Sequence, residues 1–147
     1  MEKRVVITGL GAVTPVGIGK ENFYNALLEG KSGIGPITRF DASDYATRIA
    51  GEVKDFDITQ YGVDKKEARR MDRSVEFAIG AAVLAADDAK LALDEEDLDR
   101  CGTVVGTGIG GIDSIHEVYT TLFDKGPGRV SPFAVPMMIA NMSSARV

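Results

Sequence analysis

The chain opens with a short apolar run that leads directly into a segment rich in glycine. Residues 3–8 contain the series Val5-Val6-Ile7-Thr8, whose β-branched composition is typical of a strand buried on both faces. Residues 9–17 then carry three glycines and Pro15. Because glycine tolerates positive φ and proline fixes φ, such a segment favours a compact turn. The sequence therefore predicts a strand over 3–8 that ends in a tight turn.

Helical periodicity recurs along the rest of the chain. Phe23, Ala26 and Leu27 share one face of a helix predicted over 20–29, which Gly30 ends. The clearest helix is predicted over 73–92, with Asp72 as its N-cap. Its middle is almost wholly apolar, which is typical of a buried helix.

The remaining segments complete an alternating pattern. A second strand is predicted over 102–107 and a third helix over 112–123. Ser131 is predicted to cap a short turn that Pro136 ends, with a last helix over 137–145. Residues 31–64 predict an irregular excursion with short strands. Alternating strands and helices indicate the α/β class, with strands buried in a layered sandwich.

Composition excludes several classes of function. The chain has 147 residues, a net charge of −5 and one cysteine. The acidic balance argues against general nucleic-acid binding, and Cys101 has no internal disulfide partner. We expect a cytoplasmic protein, because no signal peptide or membrane-length apolar run is present. His116 is the sole histidine, and no metal site follows from it.

Gly106–Gly111 matches G-x-G-x-x-G between a predicted strand and a predicted helix. This context is typical of dinucleotide-binding turns, where a pyrophosphate approaches the helix N-terminus. The expected second strand with its acidic residue about 20 positions later is replaced by the breaker Lys125–Gly128. A tight strand-to-helix turn is therefore favoured, and nucleotide binding is kept as an alternative.

Five basic residues crowd into nine positions of this acidic chain. They are Lys65, Lys66, Arg69, Arg70 and Arg73. In a continuous helix the last four would share one face. The residues alone favour a solvated face, and the competing interpretation is a docking surface for an acidic partner. The residues of the chain as a whole show no recognisable catalytic set, because nothing near Cys101 supplies a base.

Several segments, taken together and in order, resemble the elongating β-ketoacyl-acyl-carrier-protein synthases. They are Val5–Gly11 with Thr14–Gly17, Gly30–Ile34, Arg39–Asp41, Lys66–Arg73, Gly106–Gly111, Ser131–Pro136 and Asn141–Met142. Ile109 in the glycine turn resembles the type II enzymes more than type I. The resemblance covers essentially the whole chain.

This resemblance implies a thiolase-like fold, a layered α-β-α-β-α sandwich built from two βαβαβαββ halves in a homodimer. Residues 1–147 would be an incomplete N-terminal part of that domain, holding most of the first half. The implied reaction is a decarboxylative Claisen condensation on acyl carrier protein, with no cofactor. The nucleophilic cysteine and the catalytic histidines would follow beyond Val147, so no catalytic residue is assigned here.

The resemblance also implies roles for particular residues. Ile109 and Phe133 resemble acyl-pocket residues, Phe133 at the dimer interface. The positions that resemble carrier-protein contacts are Lys66, Arg69, Arg70 and Arg129. Gly128 departs from the family, which often has a basic residue there. With the family in view, docking becomes the favoured interpretation of the basic cluster.

Ending at Val147 leads to a further expectation. Strand edges and an apolar helix face would be exposed, so we expect the chain alone to be inactive and unstable, or to pair with a second chain that carries the remainder. A catalytically inactive, truncated paralogue that binds carrier protein is the alternative.

Overall fold

The computed structural model describes residues 3–147. The chain divides into two compact units. The first comprises the residues up to Phe56 together with Leu84–Lys90, and the second comprises Asp57–Val83 and Leu91–Val147. Within residues 3–147, none of the helices has both the length and the apolarity that a membrane crossing demands.

The first unit contains a tight hairpin. Strand β1 (Val13–Thr14) pairs antiparallel with β2 (Gly17–Ile18), and Val13 lies opposite Ile18. The Thr14 hydroxyl donates to the Gly17 carbonyl at 2.8 Å and accepts from the Gly17 amide at 3.1 Å. These two bonds fix the turn that the glycine and proline content of the opening predicts.

A helix and a second hairpin complete the first unit. Helix α1 (Lys20–Leu28) confirms the predicted helix, and Gly30 follows it at φ +66°. Strands β3 (Ile34–Pro36) and β4 (Ile49–Gly51) pair antiparallel within the excursion predicted to hold short strands.

The second unit is mainly helical. Its helices are α2 (Lys65–Ala68), the first part of α3 (Arg73–Ala89), α4 (Ile112–Lys125), α5 (Ala134–Met138) and α6 (Met142–Arg146), with 3-10 turns at Ile58–Tyr61, Leu98–Arg100 and Pro127–Arg129. Its buried apolar side chains are Ile58, Met71, Val75, Ile79 and Ala134. Helix α4 confirms the helix predicted over 112–123.

The strands predicted over 3–8 and 102–107 are wrong. Neither segment is assigned to a strand, and Val5 and Val104 are 92% and 99% exposed. A strand is defined by hydrogen bonds to a neighbour, and the ladders among residues 3–147 are the two hairpins. Both segments thus have the β-branched composition of a strand, but within residues 3–147 neither is paired with a neighbouring strand.

Three details of the predicted helices are also corrected. Helix α3 ends at Ala89 rather than at position 92, because Lys90 takes φ +53°. The helix predicted over 137–145 is two short helices, α5 and α6, separated where Ile139 becomes extended. Pro136 lies inside α5, where its missing N–H costs nothing in the first turn.

Candidate functional site

Asp72 fixes the start of two helices in the second unit. One carboxylate oxygen, Oδ1, accepts from the Ser74 amide and hydroxyl, both at 2.9 Å. The other, Oδ2, accepts from the Ser114 amide at 2.9 Å and the Ser114 hydroxyl at 2.8 Å. The predicted N-cap of α3 is thus confirmed. The second bond pair, to the first turn of α4, was missed because no local spacing connects positions 72 and 114.

The environment of Asp72 also sets its charge. Its side chain is buried at 3% exposure, and burial by itself would raise the pKa of the carboxyl. The hydrogen bonds from Ser74 and Ser114 outweigh burial and hold the pKa below its usual value. The carboxylate therefore stays ionised near neutral pH and caps both helices as an anion.

The basic cluster does not form one helical face, because the segment is not the continuous helix that such a face requires. Helix α2 ends at Ala68, and α3 starts anew at Arg73. Asp64 caps α2 by accepting from the Lys66 amide at 2.7 Å, while Asp72 caps α3. An N-cap residue is not helical, so two caps so close together interrupt the helix.

Two arginines line one pocket beside the break between α2 and α3. Arg69 and Arg129 both line a pocket of about 160 Å³ in the second unit. The other lining residues are Ser114, Glu117, Val118, Thr121, Ser131, Ala134 and Met137. The structure therefore joins two of the four predicted docking residues, which lie far apart in sequence.

The other two docking candidates lie outside that lining. The Arg70 guanidinium carbon lies 4.4 Å from the centroid of the Phe133 ring. Lys66 is exposed on α2, and its neighbour Glu67 pairs with Arg146 at 2.9 Å. Arg70 thus contacts the segment that carries Ser131, whereas Lys66 lies exposed on α2, outside the pocket lining.

Two guanidinium groups give the pocket donors that suit an anion. Each guanidinium offers several N–H donors in a planar fork that matches a carboxylate or a phosphate. The Ser131 hydroxyl accepts from the Phe133 amide at 3.2 Å, which leaves its own proton to donate. Glu117 is the acidic residue of the lining and reduces the positive potential there.

The glycine turn before α4 does not present a cradle for a pyrophosphate. A Cβ on Gly111 would lie 2.2 Å from the Met137 carbonyl oxygen, so α5 already occupies that side. The Ser114 amide in the first turn of α4 is bonded to Asp72. At Gly111 and in the first turn of α4, the protein's own groups thus occupy positions that a nucleotide phosphate would need. Ile109 stands on this turn with 64% of its surface exposed.

Solved structures define the class of fold. The chain superposes on the ishigamide ketosynthase/chain length factor with a TM-score of 0.82 at 30% identity, covering 96% of this chain and 35% of that one. A ketosynthase solved with its type II PKS acyl-carrier protein gives 0.79 at 22% identity over 99% of this chain and 39% of that one, a likeness of fold alone. The chain has the α/β fold of the thiolase-like ketosynthases, which confirms the predicted class.

The chain belongs to the β-ketoacyl synthase family, since the model of the family's N-terminal domain matches residues 2–147. It is 57% identical over 143 residues to 3-oxoacyl-acyl-carrier-protein synthase 2 of Synechocystis sp., covering 97% of this chain and 34% of the relative. The protein of the same name from Vibrio harveyi is 49% identical over 141 residues, covering 96% and 34%. The chain thus spans about a third of the length of these relatives, and the predicted resemblance is confirmed.

Proposed function

We propose that the chain forms the N-terminal part of a 3-oxoacyl-acyl-carrier-protein synthase that elongates fatty acyl chains. The family match and the 57% identity to a synthase of that name support this function. One structural observation supports it most directly: Arg69 and Arg129 meet at a single pocket. A surface of this kind suits a partner that is acidic, as the acyl carrier protein is.

The proposed reaction has two stages. A cysteine thiolate attacks the acyl thioester of the carrier protein, forms the acyl-enzyme and releases the thiolate of the carrier. A malonyl thioester then loses CO₂, and its carbanion attacks the acyl-enzyme and expels the thiolate. We assign the cysteine and the assisting histidines to the two thirds of the relatives that this chain does not match.

The part played by this chain is recognition of the carrier. The docking surface comprises Lys66, Arg69, Arg70 and Arg129. Opposite charge on the two surfaces speeds encounter and orients the partner before the thioester is delivered. We also propose that Ile109 and Phe133 line the acyl pocket. The complete enzyme is proposed to assemble as a homodimer.

A chimeric enzyme tests this function. Residues 1–147 would replace the matched third of the Synechocystis synthase, and condensation of acyl- and malonyl-carrier protein would be measured. We expect an active chimera, and the Arg69→Glu/Arg129→Glu chimera should lose activity mainly through a higher KM for the carrier.

A folded chimera that lacks activity would contradict the proposal. If that chimera still bound carrier protein, the result would favour a carrier-binding paralogue without catalysis.

A further inference from the structure

We propose that the hydrogen-bonded pair Asp72–Ser114 positions Ile109 and thereby sets how strictly the synthase selects acyl chains by length. The inference rests on the proposed function, in which Ile109 lines the acyl pocket. Its starting point is the location of Ser114 in the first turn of α4, directly after the glycine turn that carries Ile109. The Asp72 carboxylate accepts from both the amide and the hydroxyl of Ser114, at 2.9 and 2.8 Å.

Asp72 also contacts the glycine turn itself. A Cβ at Gly111 would lie 3.0 Å from the Asp72 carboxyl carbon and 2.9 Å from the Met138 Cα. On the side of α5 the turn is hydrogen-bonded, since the Gly111 amide donates to the Met138 carbonyl at 3.2 Å. The end of the turn therefore lies between the N-cap of α3 and the C-terminal end of α5, in contact with both.

The backbone on each side of Ile109 is held as well. The Gly110 amide donates to the Thr107 hydroxyl at 3.1 Å, and Gly110 takes φ +86°, which glycine adopts without strain. A Cβ at Gly110 would lie 2.9 Å from the Met138 carbonyl oxygen. The Ile109 side chain nevertheless remains 64% exposed. The turn thus presents a large apolar side chain from a backbone that its neighbours hold in place.

The restraint on the turn matters because an apolar pocket selects by size only if its wall does not yield. A wall that shifts accommodates chains of several lengths, whereas a fixed wall excludes those that do not fit. Asp72 is buried, and its second oxygen accepts from the amide and hydroxyl of Ser74 at the start of α3. It therefore joins the starts of α3 and α4 and restricts movement of the turn that precedes α4.

The chain-length selectivity of the chimeric synthase that carries residues 1–147 tests the proposal. We would measure kcat and KM for hexanoyl-, decanoyl- and hexadecanoyl-carrier protein in the parent chimera and in Ser114→Ala, which removes one hydrogen bond to Asp72. The ratio of kcat/KM between the most and the least favoured chain should shrink about two- to fivefold, as the loss of one buried hydrogen bond predicts. Because all three substrates share one carrier protein, a change in docking alone would leave this ratio unaltered.

Ser74→Ala is the matched control. The Ser74 hydroxyl also donates to Asp72, at 2.9 Å, but it lies at the start of α3, which does not follow the glycine turn. This variant should leave the ratio unchanged. If Ser114→Ala does not fold by circular dichroism, Ser114→Cys replaces it, since a thiol is only a weak donor.

A double-mutant cycle with Ile109→Ala shows whether the pair acts through that side chain. Ile109→Ala should itself shrink the ratio, because it removes the side chain proposed to line the pocket. Adding Ser114→Ala to Ile109→Ala should then have no further effect on the ratio.

The outcomes separate the two proposals. The positioning role alone would be overturned by an unchanged ratio in Ser114→Ala, by an equal effect of Ser74→Ala, or by an undiminished effect in the Ile109→Ala background. An active parent chimera that elongates all three chains equally would also overturn it and leave the proposed function standing. A folded parent chimera without condensing activity would overturn the proposed function and, with it, this inference.

Discussion

Asp72 shows how one residue organises the surroundings of the pocket. Its two oxygens bond to the first turns of α3 and α4, and Ser114, one of the bonded residues, also lines the pocket. These hydrogen bonds stabilise the ionised carboxylate more than the protonated carboxyl, and they therefore lower its pKa. The contribution of Asp72 to stability must therefore depend on pH.

We expect the free energy of unfolding contributed by Asp72 to vanish in acid. The folded state binds the proton less tightly than the unfolded chain, whose carboxyl has a pKa of about 3.9. The contribution is thus complete above that value and is lost as pH falls through the lower folded pKa. At pH 7, Asp72→Asn should unfold more easily by about 2 kcal/mol, because the amide nitrogen of asparagine cannot accept and leaves the buried donors of Ser114 without an acceptor. Urea unfolding across pH 2–7 (a range chosen to bracket the carboxyl pKa near 3.9) would measure the difference.

Comparison with Asp64→Asn controls for general effects of a lost carboxylate. Asp64 caps only α2, through the amides of Lys66 and Glu67. A difference between parent and Asp72→Asn that stays constant down to the lowest pH would contradict the assignment.

Glu117 offers a second prediction at the scale of the residue. It lines the pocket together with Arg69 and Arg129, where its charge opposes the approach of an acidic partner. Glu117→Gln should therefore bind acyl carrier protein more tightly by a few-fold, an effect that fades at high salt. Glu95→Gln, in the turn after α3, is a control that also removes one negative charge. If Glu117→Gln binds no more tightly than this control, the electrostatic explanation is contradicted.

At the scale of elements, α5 rests directly on the glycine turn that precedes α4. The Gly111 amide donates to the Met138 carbonyl at 3.2 Å, and Gly110 takes φ +86°. A Cβ at Gly111 would lie 2.2 Å from the Met137 carbonyl oxygen. The glycine pattern that suggested a nucleotide turn therefore serves close helix packing.

Gly111→Ala should destabilise the chain by about 1–3 kcal/mol, because the new methyl group forces α5 away from the turn. The matched control is Gly108→Ala in the same turn, where an added Cβ meets nothing within 4 Å. Urea denaturation of both variants measures the effect. Similar free energies of unfolding for the two variants would show that the close packing of α5 on the turn does not stabilise the fold.

The elements differ in how far the sequence predicts them. Helices α1 and α4 were predicted because their hydrophobic periodicity and terminal residues are local signals. The segments 3–8 and 102–107 carry strand composition, but a strand also needs a partner that a local pattern does not reveal. The division of the basic cluster between two helices rests on the local caps Asp64 and Asp72, whereas the bonds from Ser114 to Asp72 join residues far apart in sequence.

At the scale of the whole molecule, the proposed function depends on where the charged side chains lie. The chain has a net charge of −5, yet Arg69 and Arg129 converge on one pocket and Arg70 lies beside its lining. If the proposed acidic carrier is the partner, the overall repulsion between the two is overcome locally, through these short-range contacts. The sequence supplied the four basic candidates through a family resemblance. Only the fold shows which two share a pocket and which one contacts an aromatic ring.

Calorimetric titration of the chimeric synthase that carries residues 1–147 with acyl carrier protein tests the central claim most directly. The parent and Arg69→Glu/Arg129→Glu would be compared at low and high salt, with Lys3→Glu/Lys31→Glu as a control for the same change in net charge. We predict that the parent and the control both bind the carrier and that their affinity falls as salt is raised. The affinity of the arginine variant should be at least tenfold lower, because charge-assisted hydrogen bonds contribute about 1.5–3 kcal/mol each. Equal affinity of the arginine variant and the control would contradict the account.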